Sequence, residues 1–171
     1  MSEYKVQNYA FGGSIDAELG GYADRILFPY EPKIVFFQTG SNDYVQLSGT
    51  DEEKIEKCME YKKQMFAVFH EKMPDAKFVI MSGLLLPGRA EYLNLTLTIN
   101  EELQKLAEET DYLYYVDANA LTYDGTNFDE SLFVEDMIHL NHDGQLRWYN
   151  EYIKSMIEQV ITENGMDSVR K

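Results

Sequence analysis

Ile34-Val35-Phe36-Phe37-Gln38-Thr39-Gly40-Ser41-Asn42-Asp43 is the stretch that decides the fold. Its first half is an unbroken β-branched and aromatic run, the pattern of a strand covered on both faces. Its second half is made of turn residues, so the strand ends at a polar loop. Outward from it, strand and helix patterns alternate. Upstream, Val6 to Phe11 reads as a short strand ending at Gly12-Gly13. Asp16 to Phe28 has helical spacing through Leu19, Ala23, Ile26 and Leu27, and Pro29 stops it. Downstream, residues 51–72 form a long helix with Ile55, Met59, Lys62/Lys63, Phe66 and Phe69 at period 3.6. Phe78 to Met81 is a buried strand, Gly83 to Gly88 a loop, Glu91 to Thr110 a helix and Tyr112 to Val116 a strand. The last helix runs from about Asp143 to Glu163. This order predicts an α/β fold in which a parallel sheet lies between helices. Chemistry in such sheets gathers at the carboxyl ends of the strands.

The 171 residues suit one domain, 1–171, with one buried core, and 44% hydrophobic content supplies it. Net charge is −15, which repels phosphate backbones and anionic lipid, so nucleic-acid and membrane partners are disfavoured. Cys58 is the only cysteine, which excludes an intrachain disulfide and a thiolate metal cluster. No apolar run approaches a bilayer span. The start, Met1-Ser2-Glu3-Tyr4-Lys5, lacks a signal peptide's apolar segment. As written, the chain is expected in the cytoplasm, an expectation that lapses if residues precede Met1.

Three clusters fall at strand ends. Asp136-Met137-Ile138-His139 offers a base and its carboxylate within one turn of chain. Acyl transfer needs an imidazole to shuttle a proton, and a carboxylate on its other nitrogen fixes the tautomer. Gly40-Ser41-Asn42-Asp43 offers an amide donor for a developing oxyanion, although an ordinary turn explains the same residues. Gly12-Gly13-Ser14 lets backbone N–H groups approach a substrate oxygen, although, taken singly, a strand-to-helix turn with Ser14 or Asp16 as N-cap explains it better. His70 reads as a surface residue. His139 and His142 lack a third ligand at a sensible spacing, so neither a metal nor another cofactor is expected. Leu84-Leu85-Leu86-Pro87-Gly88-Arg89, with Tyr44 and Trp148, is a candidate pocket wall.

Taken together, Phe11-Gly12-Gly13, Tyr22-Ala23-Asp24-Arg25, Gln38-Thr39-Gly40-Ser41-Asn42-Asp43 and Asp136-x-x-His139-Leu140-Asn141-x-x-Gly144 resemble the SGNH (GDSL-type) hydrolase family from about Val6 to Trp148. The resemblance implies a flavodoxin-like three-layer fold and ester hydrolysis through an acyl-serine, as in esterases, acylhydrolases and lipase-like enzymes. It also implies His139 as base, Asp136 as its orienting carboxylate, and Gly13 and Asn42 as oxyanion-hole donors. Small O-acyl or acetyl esters, acylated carbohydrates among them, are the substrates it suggests.

The family's G-D-S block, which carries the nucleophile, is missing. Ser14 is the alternative nucleophile, but the 28 residues from Ser14 to Asn42 hold only one helix and one strand. The family needs a further strand and helix in that interval, so Gly13 fits the glycine block. The family's first, central strand is then expected before Met1, making the chain N-terminally truncated relative to the family. Losing a central strand costs on the order of 10 kcal/mol. A homo-oligomer compensating for it is one outcome. A catalytically inactive SGNH-like domain that binds a ligand or partner is the competing reading. A nucleotide-binding or receiver domain of flavodoxin type lacks its phosphate-cradling loop.

Overall fold

The computed structural model describes residues 4–170. Its sheet has three parallel strands, β1 (Ile34–Phe37), β2 (Lys77–Met81) and β3 (Leu113–Val116), in the order β1-β2-β3. Ile34 faces Lys77, and Phe78 faces Leu113 across the ladder. The α-helices longer than four residues are α1 (Asp16–Ile26), α2 (Asp51–Lys72), α3 (Leu93–Glu108), α4 (His142–Trp148) and α5 (Lys154–Asn164). A wide π turn at Tyr149–Ile153 joins α4 to α5, so the two form one long C-terminal helix. No described helix is long and apolar enough to cross a membrane.

Period-two alternation sends strand side chains to two helical layers. Phe37, Phe78, Ile80 and Leu113 meet α2 and α3 in the larger cluster, where Phe66 and Phe69 are fully buried. Phe37 stands edge-on to Phe66 at 5.2 Å and stacks on Phe69 at 5.6 Å. Each such ring withdrawn from water contributes about 1.5–3 kcal/mol. On the opposite face, Ile34, Phe36, Val79, Tyr114 and Val116 meet Met156 and Val160 of the C-terminal helix. Thr50 caps α2 and exchanges hydrogen bonds with Glu53, a capping box.

Two expectations need correction. Val6 to Phe11 is exposed and forms no strand. A strand exists only through a partner. Among the described residues β1 pairs with β2 alone, so Val6 to Phe11 does not join its outer edge, which stays open. His70 is not plainly on the surface: it is half buried and stacks flat on Tyr112 at 3.8 Å. Residues 1–3, part of the polar start, lie outside the described residues.

Candidate functional site

The loops after β1, β2 and β3 and the turn before α1 carry every residue singled out above as a candidate for chemistry. Ser82 and Asn100 fix the exits of β2 and β3. Ala118 N–H donates to Ser82 Oγ at 2.9 Å. The buried Asn100 amide accepts from Gly83 N–H at 2.7 Å and donates to the Gly83 carbonyl and to Asn119 Oδ1. Neither residue stands out in the sequence, because a buried Asn inside a helical stripe reads as an ordinary surface position.

The Asp136–His139 turn is built by its own carboxylate. Asp136 Oδ1 accepts the N–H groups of Ile138 and His139 at 2.8 and 2.9 Å. Oδ2 lies 2.6 Å from His139 Nδ1. These backbone N–H groups, and then the imidazole, hold the Asp136 carboxyl down at about 2. It stays ionised, keeps the proton on Nδ1 and leaves Nε2 as the basic nitrogen. The His139 side chain is 77% exposed and open to an incoming molecule. Asn141 anchors the turn behind it. Its Oδ1 caps α4 at Gly144 N–H, and its Nδ2 donates to the carbonyls of Ser131 and Phe133.

The second group gathers at the carboxyl end of β1. Asn42 Nδ2 donates to the Ser14 carbonyl at 3.2 Å, which brings Asn42 against the Gly13-Ser14 turn. Gly13 has φ +78, a left-handed conformation suited to glycine, and a Cβ there would meet nothing within 4 Å. Ser14 Oγ donates to the Phe11 carbonyl at 3.0 Å, so the hydroxyl closes its own turn. Ile15, not Ser14 or Asp16, occupies the N-cap position of α1.

Asp16 has a different task. Its fully buried carboxylate lies 2.8 Å from Lys62 Nζ, whose side chain is also buried. Lys62 additionally donates to Thr39 Oγ1. Asp43, just after Asn42, accepts the Asp16 N–H at 3.0 Å and so ties the start of α1 to the loop after β1. Lys62 was readable as core-facing, since it shares the stripe of Ile55, Met59, Phe66 and Phe69. Burial, and then the negative charge of Asp16, push the Asp43 carboxyl up to about 6. Over the range from about pH 4 to 6 the native state therefore keeps a proton that the unfolded chain has released, and stability falls as pH rises. Relative to the wild type, Asp43→Asn should gain stability progressively between pH 4 and 7, by on the order of 2 kcal/mol. Urea unfolding at pH 4, 5.5 and 7 measures this; a pH-independent difference would refute it.

One segment lies between the two groups. Gly88 N–H donates to the Met137 carbonyl at 2.9 Å, within the Asp136–His139 turn. The next residue, Arg89, donates to the Ser41 carbonyl at 2.7 Å and to Asn42 Oδ1 at 3.0 Å. The base turn and the amide donor thus flank a single loop at the same end of the sheet. Leu84 and Leu86 of that loop pack with Leu140, Met137, Ile138 and Trp148. Tyr44 is buried and bonded to Thr96, so it belongs to the core and not to an open wall.

Solved structures share this arrangement of strands and helices. An acetylxylan esterase from Geobacillus stearothermophilus superposes with TM-score 0.66 at 16% identity, over 98% of this chain and 75% of that one. A Bacteroides fragilis protein described as an acylhydrolase gives 0.68 at 14%, over 89% and 72%. A family 3 carbohydrate esterase from Talaromyces cellulolyticus gives 0.64 at 16%, over 88% and 70%. The chain has the SGNH-hydrolase fold. No family model and no curated protein matches the sequence. On this esterase fold, the two residue groups described above occupy the loops at the carboxyl end of the sheet.

Proposed function

We propose that the chain carries the base and the oxyanion donors of a serine ester hydrolase acting on small acyl esters, with acetylated carbohydrate the favoured class. The observation that supports it is the pairing just described. An oriented, accessible imidazole and an Asn amide beside a glycine turn flank one loop at the carboxyl end of a parallel sheet. In the reaction, a serine Oγ attacks the ester carbonyl while His139 Nε2 takes its proton. Asp136 holds Nδ1–H and balances the imidazolium. Negative charge on the carbonyl oxygen is met by the Gly13 N–H and an Asn42 N–H. Collapse expels the alcohol, which leaves with the proton from His139. Water, deprotonated by the same nitrogen, then cleaves the acyl-serine and regenerates the hydroxyl.

The nucleophile is the serine of a G-D-S segment that precedes residue 1 in the family's order. Two features favour this over Ser14: the Ser14 hydroxyl is engaged by the Phe11 carbonyl, and the outer edge of β1 has no partner among the described residues. A preceding strand, or a strand from a second copy, would pair there. The competing reading is an inactive domain that binds a ligand through the same loops.

A fluorophosphonate probe and p-nitrophenyl acetate separate these readings. Residues 1–171 alone should show neither labelling nor turnover. The open reading frame extended upstream should show both, and both should depend on His139. Labelling of residues 1–171 that is lost in Ser14→Ala would overturn the nucleophile assignment. An in-frame stop directly before Met1 would refute the upstream serine, and an inert extended protein would establish the binding reading.

A further inference from the structure

We infer that Arg89 is a positioning residue that sets which way the Asn42 carboxamide faces and, through Gly88, holds that donor in register with the His139 turn. The inference rests on the esterase reading for its catalytic consequence but not for its geometry. A carboxamide has an accepting end and a donating end of nearly equal shape, and only partners decide between them. The guanidinium has donors alone, so the atom it meets at 3.0 Å is Asn42 Oδ1. The Ser14 carbonyl accepts alone, so the atom facing it is Nδ2. Both ends are therefore fixed by chemistry. Nδ2 carries two hydrogens and has one acceptor among the described residues, which leaves one N–H for a substrate oxygen.

The charge on Arg89 adds to this. In a chain with 30 acidic and 15 basic residues, Arg89 pairs with no carboxylate among the described residues. Its partners are the Ser41 carbonyl, the Asn42 carboxamide oxygen and, beside them, the Tyr44 hydroxyl, all neutral. A cation on Oδ1 polarises the amide and strengthens its N–H as a donor, and that effect grows as an oxyanion develops. Two nitrogens of one planar fork make the contacts to Ser41 and Asn42, a geometry that the single ammonium of lysine does not reproduce.

Gly88 supplies the register. A Cβ there would sit 2.8 Å from the Asp136 carbonyl oxygen and 3.0 Å from that of Met137, both backbone atoms. Only glycine brings this loop flush against the base turn, and the following residue then reaches the Asn42 loop. The distance from base to oxyanion donor is thus set by two adjacent residues.

The test uses Arg89→Lys and Arg89→Met with two readouts. The first is the ¹H–¹⁵N signals of the Asn42 side-chain NH₂ in residues 1–171, assigned by their loss in Asn42→Asp. Wild type should give two well-separated signals, both variants should shift and narrow that separation, and the core amides of β2 should stay in place. Unmoved Asn42 signals in both variants would overturn the inference. The second is p-nitrophenyl acetate hydrolysis by the upstream-extended protein. There kcat should fall about 10–100-fold with KM nearly unchanged, and added guanidinium ion should restore part of it in Arg89→Gly. Unchanged kcat would overturn the catalytic role. A wild type inert in every form would refute the esterase reading while the NMR result still judges the orientation of Asn42.

Discussion

Lys62→Met should lower the unfolding free energy by about 3–5 kcal/mol at pH 7. The ammonium is the partner of a carboxylate, Asp16, that has no exposed surface, and Asp43 adds a second acid beside it. Removing the cation leaves negative charge in a place water does not reach. The two carboxyls must then take up protons or pull the start of α1 away from the loop after β1. The deficit should shrink as pH is lowered to 5, because protonation relieves the burden that lysine had carried. Asp16→Asn combined with Lys62→Met should recover much of the loss, since an uncharged pair carries no such penalty. Urea unfolding of the two single variants and the double variant decides it. Equal losses at pH 5 and pH 7 would show that packing, not charge, is what Lys62 provides.

Asp136→Asn should reduce kcat of the upstream-extended protein by roughly 10³–10⁴-fold with little change in stability. The size follows from how the turn is wired. Oδ1 of residue 136 accepts two backbone N–H groups, so an asparagine must keep its oxygen there. Its NH₂ would then face His139 Nδ1, where the carboxylate oxygen now lies. A donor at that place makes Nδ1 an acceptor and moves the imidazole proton to Nε2. The nitrogen that should take the serine proton would already carry one. The check is kcat for p-nitrophenyl acetate together with the His139 ring ¹⁵N shifts. A loss below about 10-fold would mean that Asp136 shapes the turn without setting the tautomer.

The strands of the sheet and the main helices were legible because burial leaves a period. Ile34–Phe37 and Phe78–Met81 are continuous apolar runs, and α2 spans the residues its apolar stripe marks. Val6–Phe11 was misread for a physical reason. Alternation and β-propensity describe what a segment would do beside a partner, and no partner stands there among the described residues. The candidate site was legible in its parts, since Asp136, His139, Gly13 and Asn42 each sit in a recognisable local pattern. What joins those parts was not. Arg89 and Gly88 act across 47 to 49 residues of chain, and Asp16 reaches Lys62 from another element. Such contacts leave no spacing to read, although a lysine at a core position of α2 was a visible irregularity.

The π turn at Tyr149–Ile153 also has a consequence for the base. Trp148 and Tyr152 touch the cluster under the His139 turn, while Tyr152, Met156 and Val160 touch the sheet. These contacts recur every four residues, and a regular helix turning about 100° per residue would carry them steadily off one face. The wider turn absorbs that drift, so one rod grips both the loop and the sheet. Deleting a single residue within it would rotate α4 against α5 by about 100°. His139 would then be misaimed from ten residues away, with every residue of the site still present.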